Sequence, residues 1–357
     1  MDLQALFQYP IIQGPMAGGA CTAALVAATS NAGALGALPV SLFNPETMRA
    51  QIAQVRQLTD RPFLVNLFVQ KTVHPDSAEL AHAAELLKPV WSQLGWNSLP
   101  LPQRWCEDFD AQFEALLEAR PAGASFTFDI LTQQQVARLH AAGIFVIGTI
   151  TTVAEALAWQ AVGADAIVAS GIEAGGHRGT FLGPQQEATL TSCELLAQVV
   201  PALSIPVIAA GAIMDGADIA RALAQGAAAV QMGTAFLVTD ESGIHPAYKQ
   251  RLLTAGNHPT RLTRAFSGRY ARGLDNRFMQ TMAGVESQVP AYPVQNALTG
   301  SIRAAAAKSG DTEWMSLWAG AGVARARAMP AATLVATLVA EMQAGAQQTD
   351  DQDTGNQ

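Results

Sequence analysis

Ala164–Phe181 reads ADAIVASGIEAGGHRGTF. A short apolar run, Ala166 to Ala169, stops abruptly at Ser170-Gly171. A small-residue loop follows and carries one ionisable imidazole, His177. A strand that feeds a glycine loop with a single histidine is how many α/β enzymes hold a proton-transfer group over a bound cofactor. The run is apolar at every position, as expected for a strand buried on both faces of a parallel sheet.

The same unit recurs on either side. Apolar runs at Ile11–Ala17, Ala34–Val40, Phe63–Val69, Ala124–Ile130, Ile144–Ile150, Val207–Ile213 and Ala229–Phe236 join Ala166–Gly171 to give eight predicted strands. Between them, Pro45–Thr59, Thr132–Ala142, Val153–Val162, Ser192–Leu203 and Gly216–Gln225 place apolar residues at helical spacing. A weak repeat marks the joints: Asn31-Ala32-Gly33-Ala34, Ala141-Ala142-Gly143-Ile144, Val162-Gly163-Ala164-Asp165 and Gln225-Gly226-Ala227-Ala228. Glycine there takes the left-handed conformation that caps a helix C-terminus. Eight such units predict a closed (β/α)8 TIM barrel. An open doubly wound sheet would show GxGxxG after its first strand, and here Gln13-Gly14-Pro15-Met16-Ala17-Gly18-Gly19 follows instead.

Two stretches exceed a minimal barrel. Residues from about 74 to 122 contain Trp91, Trp96 and Trp105, and residues from about 239 to 343 contain helical patterns at Ser301–Lys308 and Ala331–Met342. Both are expected to be helical excursions at the barrel mouth, inside a single domain over residues 1–343. The polar, acidic end, residues 344–357, is expected to be a disordered tail.

Half of the 357 residues are hydrophobic and 14% are charged, enough apolar material for a large core. The net charge is −8, with no basic patch, so nucleic acid is not an expected partner. Cys21, Cys106 and Cys193 are far apart and lack a CxxC pair. They read as small hydrophobes in a reduced compartment. The N-terminal MDLQALFQYP has no basic stretch and no apolar core, and no run of about 18 apolar residues occurs. The expectation is a cytoplasmic protein without a signal peptide or a membrane span. No His, Cys, Asp or Glu set has ligand spacing, so no metal is expected.

The loops carry the chemistry. Gly211 stands at a strand end before a helix whose N-cap is Asp215, and Gln231-Met232-Gly233-Thr234 ends the last strand. Loops after strands seven and eight of a barrel commonly bind phosphate through backbone N–H groups, and a Cβ would block that approach. His177 follows Ala174-Gly175-Gly176 at the face where barrels place catalysis, and an imidazole of near-neutral pKa can take a proton from carbon. His82, His140, His245 and His258 have no comparable setting, and only His74, in the first excursion, is otherwise of interest. Asn66 interrupts an apolar strand. Its amide either meets a heterocycle edge or fixes a neighbouring loop. Met16 and Ala17 form either an apolar floor or plain core. Tyr292 and Lys308 are candidates to meet an anionic substrate at the mouth, and Arg269 and Arg272 read equally as such contacts or as structural ion-pair formers.

Taken in order, PIIQGPMAGG (Pro10–Gly19), VNLFV (Val65–Val69), GIEAGGHRGTF (Gly171–Phe181), IAAGAI (Ile208–Ile213) and VQMGTAF (Val230–Phe236) resemble the nitronate monooxygenases, formerly called 2-nitropropane dioxygenases. AFSGRYARGLDN (Ala265–Asn276) and WAGAG (Trp318–Gly322) resemble the class I branch. The resemblance implies an FMN-dependent TIM-barrel flavoprotein, a monomer or homodimer, whose partners are O2 and a small nitronate or nitroalkane. It implies FMN phosphate on Gly211 and Gln231, Met232, Gly233 and Thr234, flavin contacts from Asn66, Gly175 and Gly176, Met16 and Ala17 beneath the ring, and His177 as base. Ser170 stands where many relatives carry a Gln that reaches the flavin. Asp129 stands where relatives more often have Gly, and its carboxylate is expected to alter the substrate pocket. The implied reaction is oxidative denitrification of nitronates such as propionate 3-nitronate, with His177 removing the α-proton of neutral nitroalkanes. The alternative on the same scaffold is an FMN-dependent reductase that uses NADH or NADPH, of the enoyl-ACP or quinone reductase type.

Overall fold

The computed structural model describes residues 2–256 and 259–354. Eight parallel strands form one sheet: β1 (Ile11–Gln13), β2 (Gly36–Pro39), β3 (Phe63–Phe68), β4 (Gly123–Thr127), β5 (Phe145–Ile150), β6 (Ala166–Ser170), β8 (Val207–Ala210) and β9 (Ala229–Met232). They pair in the order β1-β9-β8-β6-β5-β4-β3-β2. A parallel bridge from Ile12 to Leu35 brings the first and last together. This is the expected TIM barrel. Gly33, Gly143, Gly163 and Gly226 have φ of +89°, +77°, +95° and +91°, so the repeat at the helix-to-strand joints is a set of left-handed caps.

The barrel is filled at its lower end by Ile12, Leu35, Leu64, Phe145, Ile147, Val168 and Ile208, with Leu3 and Leu6 of a 3-10 turn (Leu3–Leu6) closing it from below. Helices cover the outside through Val55, Phe113, Leu139, Trp159, Leu196 and Ile219. Gly148 of β5 is a glycine because of that layer. A Cβ there would lie 2.2 Å from the Trp159 indole, so only a bare backbone lets the ring pack on the strand.

Several strands end sooner than the apolar runs that predict them. β1 stops at Gln13, before Gly14-Pro15, and β9 stops at Met232, after which Thr234–Leu237 turns helical. β4 stops before Phe128, with φ +86°, and β8 stops before Gly211 and Ala212, with φ +129° and +54°. The residues beyond each ladder remain apolar because they are covered at the barrel mouth rather than by sheet.

Both excursions are shorter than expected. Helix Phe109–Ala119 packs on helix Pro45–Leu58 through Phe113 and Leu116, so it belongs to the barrel layer. Helix Ala331–Thr354 does likewise, fitting Leu334, Val335 and Leu338 beside helices Ala23–Asn31 and Gly216–Ala224. Its backbone is helical to Thr354. Residues 355–357 lie outside the described residues. What remains of the two excursions shares a separate core, including Leu87, Val90, Phe266, Phe278, Leu298 and Trp314. A small antiparallel sheet, absent from the strand expectations, links this cap to the barrel: β10 (Thr260–Thr263), β11 (Ala271–Leu274) and β7 (Gly176–His177).

Candidate active site

The C-terminal ends of the barrel strands and the cap enclose a cavity of about 680 Å³. Every position singled out for a cofactor or for catalysis lines it: Met16, Ala17, Asn66, Ser170, Gly175, Gly176, His177, Gly211, Gln231, Met232, Gly233 and Thr234. Tyr292 lines it too, whereas Lys308 is exposed on the far side of its helix.

His177 is not on a free loop. It pairs with Ala271 across β7 and β11, and Arg178 N–H donates to the Tyr270 carbonyl at 2.8 Å. Its ring lies among Phe128, Tyr292 and Trp318, with centroids 5.5, 5.9 and 5.4 Å away. Nε2 is 2.9 Å from Ser267 Oγ. That hydroxyl donates its one proton to the Arg269 carbonyl at 2.9 Å, so it is an acceptor towards the ring. The arrangement places the imidazole proton on Nε2 and a lone pair on Nδ1, which has no protein partner among the described residues.

Burial holds the His177 pKa down, from 6.5 to about 3, with the Arg269 and Arg303 charges adding to the effect. The native ring is neutral at working pH. The unfolded ring takes a proton near pH 6.5, so below that value the unfolded chain binds one proton more and stability falls as pH falls. By about pH 5 this one group costs about 2 kcal/mol. The acid loss of stability between about pH 7 and about pH 5 should therefore be smaller by about 2 kcal/mol in His177→Asn, measured by urea unfolding. Equal losses in the two proteins would contradict a buried neutral ring.

The histidine loop is braced by groups that carry no sequence signal of their own. Arg178 is buried, and its Nη1 donates to the carbonyls of Ser170 (3.0 Å) and Gly171 (2.5 Å) while Nη2 donates to Ala188 (3.1 Å). Buried Glu155 accepts from the amides of Phe181 (2.5 Å) and Leu182 (3.0 Å) with one oxygen and from Thr151 with the other. Arg269 donates to the carbonyls of Arg178 and Thr180 and lies over the Phe128 ring, 4.4 Å from its centre. Arg272 donates to the carbonyls of Ile172 and Thr260. Of the two readings for Arg269 and Arg272 the structure favours bracing, made through carbonyls rather than ion pairs.

The opposite end of the cavity is lined by unsatisfied backbone. The amides of Ala212, Ile213, Gly233 and Thr234 meet no acceptor among the described residues. Thr234 Oγ accepts from Gly320 N–H at 2.9 Å, which leaves its own hydroxyl proton free to donate. Free amides converging from the ends of β8 and β9 are what a phosphate needs, and the nearby Glu173 carboxylate does not line the cavity but accepts from the Ser192 amide. At the mid-cavity, Asn66 donates to Ser125 Oγ (3.0 Å) and O (3.2 Å), while its amide oxygen meets no protein donor among the described residues. The amide thus fixes the next strand and still offers an acceptor. Met16 packs within 3.7 Å of where a Gly233 Cβ would lie, forming an apolar wall. Gly175 allows no side chain, since its Cβ would lie 2.5 Å from Gly320 N. A flat, phosphate-bearing heterocycle suits these groups.

Other expectations change. Asp129 is exposed, accepts from Ile130 N–H and does not line the cavity, so the pocket wall at this turn is Phe128 instead. His74 is exposed and outside the cavity. His245 does line the cavity, but its Nδ1 caps helix Pro246–Leu253 at 3.1 Å from Ala247 N. His258 lies outside the described residues. Of the cysteines, Cys21 is buried, its thiol pushed up to about 12 by burial, whereas Cys106 is half-buried and Cys193 exposed. No helix among the described residues is long and apolar enough to cross a membrane.

Comparison with known proteins adds the following. A family model described as nitronate monooxygenase matches residues 2–341. A probable nitronate monooxygenase of Staphylococcus aureus (strain Newman) is 40% identical over 333 residues, covering 93% of this chain and 94% of the relative. One of Staphylococcus haemolyticus (strain JCSC1435) is 42% identical over 315 residues, covering 88% of each chain. Among solved structures, nitroalkane oxidase from Streptomyces ansochromogenes superposes with a TM-score of 0.91 at 42% identity, covering 97% of this chain and 99% of that one. FabK from Thermotoga maritima superposes with a TM-score of 0.76 at 28% identity, covering 97% and 96%.

Proposed function

This chain belongs to the nitronate monooxygenase family, and from that premise we propose that it is an FMN-dependent oxidoreductase that uses O2 to convert alkyl nitronates, propionate 3-nitronate among them, to carbonyl compounds and nitrogen oxyanions. The observation that carries the reading is the pairing inside one cavity of an imidazole whose Nδ1 is open with a set of free amides suited to phosphate.

FMN, when bound, supplies the one-electron acceptor and the route to O2. The amides of Ala212, Ile213, Gly233 and Thr234, with Gly211 and Gln231 beside them, would hold its phosphate. Asn66, Ser170, Gly175, Gly176, Met16 and Ala17, which line the same cavity, would hold the ring. For a nitronate, already an anion, the protein binds and orients. Tyr292 is a neutral phenol, its pKa raised by burial, and can donate to a nitronate oxygen. For a neutral nitroalkane, His177 Nδ1 accepts the α-proton. Burial is the first cause of the low His177 pKa, and the positive charges of Arg269 and Arg303 add to it. A nitronate forming beside the ring offsets that field and raises the basicity of Nδ1 as the proton moves. Phe128, Trp318 and Tyr292 keep water from the ring.

The test is anaerobic rapid mixing of the purified yellow protein with propionate 3-nitronate, and separately with NADH and NADPH. A fast change of flavin absorbance with the nitronate and none with either nicotinamide is expected. Bleaching by NADH or NADPH with no response to nitronate would move the chain to the reductases. A colourless protein that takes up no FMN would end both readings.

A further inference from the structure

The guanidinium groups that brace the histidine loop spend their donors on backbone. Arg178, Arg269 and Arg272 direct their guanidinium groups at carbonyls, and none of them lines a cavity. Arg303, on helix Gly300–Ser309, differs. It lines the main cavity, and only its Nη2 is engaged, with Asn296 O at 2.6 Å and Asn296 Oδ1 at 3.0 Å. Its Nε is buried without a partner, as is that of Arg178, but here Nη1 also meets no acceptor, and no carboxylate pairs with Arg303 among the described residues. A half-buried guanidinium with unused donors facing a cavity is a ready partner for an anion.

Its place in the cavity says which end of a ligand it would meet. A second cavity, about 270 Å³, adjoins the first and shares Leu42, Tyr292, Asn296, Gly300 and Arg303 with it. None of the glycine-loop residues, nor His177, reaches the second cavity. Tyr292 touches both, its ring 5.9 Å from that of His177. Gly300, one turn before Arg303, faces open space where a side chain would stand. Arg303 therefore sits past Tyr292, on the side of the cavity away from the phosphate loops.

We propose that Arg303 is a specificity residue that takes, through Nη1, a carboxylate carried by the substrate at the end remote from the reacting carbon. The inference rests on the nitronate reading above and deepens it. The protein favours a nitronate with a second negative charge, and Arg303 rather than His177 selects it. Asn296 positions the guanidinium and does not replace it.

The FMN-loaded wild type, Arg303→Met and Arg303→Lys are compared on propionate 3-nitronate and on propyl-1-nitronate, which has no carboxylate. In Arg303→Met the ratio of kcat/KM for the two should fall about tenfold or more, through KM for the carboxylated substrate, and Lys should restore part of it. A ratio that does not move, or parallel loss on both nitronates, overturns the inference. Wild-type protein that oxidises neither nitronate ends the nitronate reading and this inference with it. Should the variants fail to fold, wild type alone decides through inhibition. Succinate, which carries two carboxylates, should compete with propionate 3-nitronate about tenfold better than butyrate, which carries one; equal competition overturns the assignment.

Discussion

His177→Asn should abolish oxidation of neutral nitroalkanes while leaving oxidation of preformed nitronates within a few-fold of wild type. The two substrates differ by one proton on carbon, and His177 Nδ1 is the group placed to take it. Loss of a positioned general base costs about 10²–10⁴-fold. Asn is the informative replacement because it keeps a polar amide in the Phe128, Tyr292 and Trp318 cage yet cannot accept that proton. Ser267→Ala is the companion. It removes the acceptor that holds the imidazole proton on Nε2, so nitroalkane turnover should fall while nitronate turnover stays. If His177→Asn loses both activities equally, the residue shapes the cavity or the cofactor and is no base. Steady-state oxygen consumption with ethylnitronate and with nitroethane, kept at a pH where the latter stays protonated, separates these outcomes.

The barrel was legible because its signals are local and repeated. A glycine at Gly33, Gly143, Gly163 and Gly226 is a φ requirement printed in the sequence, and continuous apolar runs announce strands covered on both faces. The positions at the mouth were legible for the same reason: they fall just after those runs. What failed to show are interactions made at long range. β7 is two residues long and exists only because β11, nearly a hundred residues later, pairs with it. Ser267 and Arg303 have no pattern around them that marks a site. Arg178 and Glu155 carry no pattern that distinguishes them from surface charges, yet they are buried braces whose partners are backbone carbonyls and amides. Asp129 failed in the other direction. The residue itself points to solvent, while the positive φ at Phe128 turns the aromatic ring beside it into the cavity. The ends of the excursions were misplaced because an amphipathic helix looks alike whether it packs on the barrel or the cap, and only contacts assign Phe109–Ala119 and Ala331–Thr354 to the barrel.

Gly211→Ala should strip the protein of its cofactor without unfolding it. Gly211 has φ +129°, where an L side chain is strained by about 1–3 kcal/mol. The added Cβ would meet Ser192 Cβ at 3.4 Å and Ala174 N at 3.5 Å, contacts the fold tolerates. The strain is relieved by rotating the peptide units on either side, and the next one carries the Ala212 amide. Turning that amide away removes a hydrogen bond to a charged group, and disturbing Ile213 beside it removes a second, so FMN affinity should fall about a hundredfold. Linkage turns this into a stability measurement. At free FMN about one hundred times the wild-type Kd the ligand stabilises wild type by about 2.7 kcal/mol, and a site a hundredfold weaker gains only about 0.4 kcal/mol. Gly183 is the control: its φ is +80°, no atom lies within 4 Å of the added Cβ, and it does not line the cavity. Gly183→Ala should lose similar intrinsic stability and keep the full response to FMN. If both variants respond to FMN as wild type does, the amides after β8 do not hold the phosphate, and the cofactor must sit elsewhere in the cavity.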